Sequence, residues 1–259
     1  MRVAAVIPAR YGSTRLDGKV LADIAGKPMV QHVYERATEA GCFEAVIVAA
    51  DDQRVAAAVE GFGGTVAMTR PDHASGTDRI AEVAGNSDYQ LIVNIQGDEP
   101  LMNPQAIQAV VQPFSEAPDL RMSTIATRIT EQQEHLNPAA VKVVVDRAGF
   151  ALYFSRAPIP YFRVDGQEPP AEAPRQHPCG LWPLKHCGIY AYRKETLLWL
   201  ASLPPTQLEQ TEGLEQLRAL EHGCPIRVVQ VDYSPIGVDT LEDLELVRKI
   251  MEGEVANEC

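Results

Sequence analysis

At 259 residues, 46% of them hydrophobic, the chain is long enough to bury one large core. Its net charge is −12, from 23 Lys+Arg against 35 Asp+Glu, which argues against a general nucleic-acid or anionic-membrane surface. The five cysteines (Cys42, Cys179, Cys187, Cys224 and Cys259) have no zinc-like spacing, and no signal-like or membrane-spanning run is present, so the expectation is a soluble cytoplasmic protein with reduced thiols.

Val3 to Ile7 is a continuous apolar run, the pattern of a strand covered on both faces. Pro28 opens a helix whose Met29, Val33, Ala37 and Ala40 recur at helical spacing. Ala45–Ala49 reads as a second buried strand, Arg54–Val59 as a helix stopped by Gly61, and Thr65–Met68 as a short strand. Ser75 and Asp78 have capping-box spacing ahead of Ile80 and Val83. Leu91–Ile95 is another strand, and Pro104 opens another helix. This alternation predicts a mostly parallel sheet with helices on both faces.

The middle of the chain changes rhythm. Met122–Ala126, Val141–Val145 and Ala151–Phe154 read as strands in close succession, predicting a small mixed-strand extension across 120–193. A Pro-rich loop at 163–183 precedes a strand at Leu184–Tyr192. One helix is then expected over Thr211–His222, stopped by Gly223, followed by a strand at Ile226–Val231. Thr240 caps a last helix that carries Leu241, Leu244, Val247 and Met251 on one face.

In an open parallel sheet, ligands bind beyond the carboxyl ends of the strands. Three segments meet that condition: Pro8–Lys19, Gln96–Pro100 and Gly237–Asp239. The first reads I-P-A-R-Y-G-S-T-R-L-D-G-K and sets Arg10, Arg15 and Lys19 among glycines and hydroxyls. It is not a Walker A loop, because Gly12 to Gly18 is one residue too long and Val20 replaces the metal-holding hydroxyl. It reads either as a solvated basic turn or as a loop that holds phosphate with side-chain cations.

In Q-G-D-E-P, Gly97 lets a ligand approach the backbone and Asp98 stands at a strand's carboxyl end. Asp98 suits magnesium, which takes one or two carboxylates and fills its shell with water and phosphate; it equally suits an acidic turn. Asp239 precedes the Thr240 cap, which does not itself require it, and facing Asp98 it would complete a two-carboxylate magnesium site. Asp78 is explained by the capping box, Arg79 less so. His186 and Tyr190, at even spacing in a strand, lie on one sheet face, as packed core residues or as ligands. Arg156 follows a strand and carries a fork suited to a carboxylate. Glu212, Glu215 and Gln216 cluster near one helix start, where a solvated acidic turn is the plain alternative.

Taken in order, I-P-A-R-Y-G-S-T-R-L-D-G-K, M-T-R-P-D-H-A-S-G-T-D-R, N-I-Q-G-D-E-P, A-L-Y-F-S-R, K-H-C-G-I-Y-A-Y, L-E-Q-L-R-A-L and G-V-D-T-L-E-D resemble the 3-deoxy-D-manno-octulosonate (Kdo) cytidylyltransferase family over almost the whole chain. The resemblance implies one α/β domain over 1–259, with a Rossmann-like nucleotide-diphospho-sugar transferase fold. Residues 120–193 would contribute to the sugar site and to the contact of a homodimer. It implies magnesium-dependent transfer of CMP from CTP to Kdo, releasing pyrophosphate, for lipopolysaccharide synthesis. By the same resemblance Arg10, Arg15, Lys19, Ser75 and Arg79 contact CTP, and Arg10, Lys19 and Asp98 serve catalysis. Asp98 and Asp239 hold the metal. Gln96, Arg156, His186, Tyr190, Glu215 and Gln216 surround the sugar acid. Asp17 and Val20 stand where many relatives carry proline, which implies a looser loop before nucleotide binds.

Overall fold

β1 (Val3–Ala9) is buried along its length except at Pro8, as its apolar run requires. The computed structural model describes residues 1–12, 16–161, 182–233 and 235–253; Arg15, Cys179, Cys259 and most of the Pro-rich stretch lie outside the described residues. After β1 the chain makes a single 3-10 turn at Lys19–Leu21 and a small hairpin of β2 (Asp23–Ile24) and β3 (Lys27–Pro28). α1 (Met29–Glu39) follows directly on Pro28, whose fixed φ suits the position just ahead of a helix.

β4 (Ala45–Ala50), α2 (Gln53–Gly61), β5 (Thr65–Met68), α3 (Gly76–Gly85) and β6 (Leu91–Asn94) continue the expected alternation. Ser75 caps α3 by accepting from the Asp78 N–H, as its spacing predicts. α4 (Pro104–Val111) begins behind an Asn103 cap and runs into the short α5 (Pro113–Glu116). Then come β7 (Met122–Arg128), α6 (Gln132–Leu136), β8 (Lys142–Val145), β9 (Ala151–Ser155) and β10 (Leu184–Arg193). The last part holds α7 (Lys194–Ser202), α8 (Gln207–Glu212), α9 (Gln216–Glu221), β11 (Ile226–Gln230) and α10 (Leu241–Met251).

Two expectations are corrected. The single helix over Thr211–His222 is two helices, because Gly213 at φ 64° takes a left-handed conformation and turns the chain between α8 and α9. α7 is an element that the sequence pattern does not announce; its Leu197 and Leu200 bury in the cluster that also holds Ile80 and Ala84 of α3.

Among the described residues the main sheet has nine strands, with β11-β7-β10-β6-β1-β4-β5 as its path. β6, β1, β4 and β5 run parallel, as do β11 and β7. β10 runs antiparallel to both β6 and β7. The β8–β9 pair branches from β10 and forms the extension. Alternate residues feed two cores, as strand geometry requires. Val3, Ala5 and Ile7 pack toward α1, α2 and α4, while Ala4 and Val6 pack toward α3 and α7. α10 closes a third cluster through Leu244 and Val247 against Ile24 and Met29. No described helix is long and apolar enough to cross a membrane.

Candidate active site

The carboxyl ends of β1 and β6, the extension and the α8–α9 turn enclose a cleft of about 1350 Å³. That exceeds the usual range of roughly 300–1,000 Å³ for a single small ligand, and leaves room for two substrates side by side.

Lys19 stands behind one wall, bonded to Asp239, which lines the cleft. Gly18 adopts φ 66° and donates its N–H to the Tyr11 carbonyl at 3.0 Å, which folds the loop back and starts the Lys19 turn. The Lys19 ammonium then donates to Asp98 Oδ2 at 2.8 Å, to Asp239 Oδ1 at 3.1 Å and to the Val238 carbonyl at 2.9 Å. The Val238 N–H in turn donates to the Asp98 carbonyl at 2.9 Å. The loop after β1, the end of β6 and the start of α10 are joined at this point.

The Thr240 cap forms with Asp243 as its reciprocal partner, and the Asp239 N–H also donates to Asp243. The cap therefore uses the Asp243 carboxylate, and the Asp239 carboxylate turns to Lys19. Asp98 and Asp239 converge on one cation, so their oxygens fit a hard divalent ion. No group of three His, Cys, Asp or Glu able to hold a metal occurs among the described residues.

Gly97 has a different purpose from the one its sequence suggests. A Cβ there would lie 2.8 Å from the Pro8 carbonyl oxygen, so the glycine admits the β1 backbone rather than a ligand. Val20, at the position expected to loosen the loop, packs in the core, and Asp17 is exposed. Arg10 is exposed and lines the cleft.

Ser75 and Arg79 both take part in structural hydrogen bonds. The Ser75 hydroxyl oxygen accepts from the Asp78 N–H as the α3 cap, and the neighbouring Gly76 and Thr77 line the cleft. Arg79 is 4% exposed and donates to Asp51 Oδ2 at 2.9 Å and to the Thr69 hydroxyl at 2.6 Å. The other Asp51 oxygen accepts from the Tyr11 N–H at 2.9 Å. Arg79 thus braces the loop after β1 through Asp51, and it does not line the cleft.

On the far wall, Gln96 donates its amide to the Gly188 carbonyl at 3.0 Å. His186 lies between Phe154 and Tyr190, with ring centroids 5.1 and 5.2 Å away. Burial pushes His186 down to about 3 and raises the Tyr190 phenol well above its ordinary value. The reading of one shared sheet face therefore holds.

Arg156 lines the cleft, but its fork is engaged: Nε donates to the Glu212 carbonyl at 2.7 Å and Nη1 to the Pro138 carbonyl at 3.1 Å. Glu212 is an anchor for β9, accepting from the Ser155 hydroxyl at 2.6 Å and from the Arg156 N–H at 2.9 Å. Glu215 reaches the other way and accepts from the Thr77 hydroxyl at 2.6 Å, tying the start of α3 to the α8–α9 turn.

Three buried side-chain atoms have no hydrogen-bond partner among the described residues: Asn94 Oδ1, Glu99 Oε2 and Gln216 Nε2. All three residues line the cleft. Buried polar atoms are nearly always paired, so these three stand out as unsatisfied groups in residues of the cleft wall. Burial, with the Asp98 charge beside it, raises the Glu99 carboxyl to about 8. Sequence reasoning singled out Gln216 and chose Asp98 over the adjacent Glu99, and it did not single out Asn94 or Thr77. Asn94, a polar residue closing a wholly apolar strand, was the one available signal.

The family model described as Cytidylyltransferase matches residues 4–230. A 3-deoxy-manno-octulosonate cytidylyltransferase of Syntrophotalea carbinolica is 54% identical over 98% of this chain and 100% of its own length. One of Geobacter sulfurreducens is 53% identical, over 95% of this chain and 98% of its own. A solved structure of CMP:2-keto-3-deoxy-manno-octonic acid synthetase complexed with CTP superposes with a TM-score of 0.89 at 45% identity, covering 98% of this chain and 100% of that one.

Proposed function

The chain belongs to the 3-deoxy-manno-octulosonate cytidylyltransferase family, and on that premise we propose that its cleft joins CTP to Kdo, yielding CMP-Kdo and pyrophosphate for lipopolysaccharide assembly. The observation that carries this reading is the convergence of Lys19, Asp98 and Asp239 beside the cleft lined by Arg10, Gln96 and His186.

The anomeric hydroxyl oxygen of Kdo attacks the α-phosphorus in line. A new P–O bond forms, the bond to the β-phosphate oxygen breaks, and pyrophosphate leaves. Both substrates are anions, so their repulsion is the first barrier. Arg10 and Lys19 place positive charge against the triphosphate, where charge builds on the transferring and leaving groups. Asp98 and Asp239 would hold magnesium, which when bound would supply further positive charge and make an attacking hydroxyl easier to deprotonate. Gln96, His186, Tyr190, Glu215 and Gln216 orient the sugar acid. Arg156 shapes the sugar end by holding the α8–α9 turn.

A homodimer in the cytoplasm is part of the same reading. The exposed Leu136, Leu152 and Tyr161 on and beside the extension support a contact there, and light scattering of the purified chain tests it.

The deciding experiment measures pyrophosphate release from CTP and magnesium with Kdo, 8-amino-Kdo or sialic acid, or with no acid. Release that needs Kdo and stops on chelation is expected. Release with another acid alone moves the sugar assignment, and no release with any acid overturns catalysis.

A further inference from the structure

We infer that Thr124 is a positioning residue that locks His186 in the Nε2–H tautomer, so that Nδ1 faces the cleft as a hydrogen-bond acceptor for a hydroxyl of the sugar acid. The inference rests on the function proposed above and adds to it the direction of one recognition bond.

The argument is a proton count. The Thr124 hydroxyl is buried on β7 and has one hydrogen. Its oxygen lies 2.7 Å from the Ile189 carbonyl, 3.3 Å from the Cys187 carbonyl and 3.0 Å from His186 Nε2. Carbonyls only accept, so the hydrogen goes to the near one, Ile189. The hydroxyl is then left with lone pairs for His186, and Nε2 must carry the proton. The opposite arrangement would press two acceptor oxygens together at 2.7 Å with no hydrogen between them.

These carbonyls are available because the register between β10 and β7 shifts between Cys187 and Tyr190. Such an irregularity re-aims groups that a regular ladder would consume. The same shift presents the Gly188 carbonyl to Gln96, so one bulge orients two sugar-site residues. Burial pushes the ring's pKa down to about 3, which favours the neutral form. A neutral imidazole with Nε2 protonated has Nδ1 as its acceptor. No hydrogen bond to Nδ1 occurs among the described residues, and His186 lines the cleft.

The test uses the full-length protein labelled with 15N-histidine. The His186 signal is assigned by its loss in His186→Gln. In the substrate-free wild type, two-bond proton–nitrogen correlation should show a single Nε2–H tautomer. Thr124→Val keeps the branched shape and removes the acceptor; it should release a tautomer mixture and raise the KM for the sugar acid about tenfold, the order of one lost hydrogen bond. The KM for CTP should be unchanged, and Thr124→Ser should restore both readouts. An Nδ1–H or doubly protonated ring in the wild type overturns the inference, even if Thr124→Val does not fold. Unchanged tautomer and KM in Thr124→Val, or equal rises for both substrates, also overturn it. If no sugar acid supports turnover, the proposed function fails, and the tautomer measurement still decides the Thr124–His186 relationship.

Discussion

Lys19 and Asp98 form a 2.8 Å ion pair that bridges two loops 79 residues apart, and Asp239 joins it from the far end of the chain. The Lys19 side chain is 13% exposed, so this is not a screened surface pair. The ammonium holds two carboxylates whose mutual repulsion would otherwise open the site.

Replacing Asp98 by Asn should therefore leave a folded protein. Magnesium-dependent pyrophosphate release should fall at least ~100-fold, the scale of losing a group that stabilises developing charge. Circular dichroism checks the fold, and Mn2+ binding followed by electron paramagnetic resonance should weaken in parallel. Full activity in this variant would remove Asp98 from the metal site.

Arg79 and Asp51 are both well buried, so breaking the pair should cost more than a surface contact. Arg79→Met leaves the Asp51 charge without its counterion, and a loss of about 3–5 kcal/mol is expected. Urea denaturation measures it. Arg79→Met combined with Asp51→Asn should recover much of that loss, because neither charge is then stranded.

Glu99 and His186 pull the pH dependence of stability in opposite directions. Glu99 has its native pKa raised to about 8 from 4.5. The native state therefore holds a proton that the unfolded state has released, and stability falls as pH rises from 4.5 to 8. His186 has its native pKa lowered to about 3 from 6.5. There the unfolded state holds the extra proton, so stability rises between pH 3 and 6.5. Each slope is at most ~1.4 kcal/mol per pH unit. Urea midpoints should show Glu99→Gln flattening the fall between pH 6.5 and 8 relative to wild type. The rise between pH 3 and 4.5 should stay as it was in that variant.

Gly97→Ala tests the close approach of β1 to β6. The added methyl would meet a backbone oxygen at 2.8 Å, not the end of a flexible side chain. A loss of about 1–3 kcal/mol is expected, typical of overpacking, with a matching drop in melting temperature. If Gly97 served ligand approach alone, the Gly97→Ala variant would lose substrate affinity at unchanged melting temperature.

The strands at Val3, Ala45 and Leu91 and the caps at Ser75 and Thr240 were legible because each depends on neighbours a few positions away. Apolar runs and cap spacings act within one element. The rule that ligands gather at strand carboxyl ends brought Asp98 and Asp239 together on paper, and the fold joins them through Lys19. Other assignments depended on partners far along the chain. The nucleotide role of Arg79 came from the family resemblance, and nothing near Arg79 in sequence identifies Asp51 as its partner, 28 positions earlier. Arg156 read as a free fork because its carbonyl partners at Glu212 and Gly213 lie 56 and 57 positions away.

Gly213 shows the same divide within one segment. Helical spacing through Thr211–His222 gives no warning of a left-handed residue, and the break sends Glu212 to β9 and Glu215 to Thr77. The residue types of this protein, acidic at strand ends and basic in the first loop, declare the chemistry it can perform. Which oxygen meets which proton was decided only when the sheet paired, because a hydrogen bond needs about 3 Å and a bulge of β10 against β7 is enough to supply or remove it.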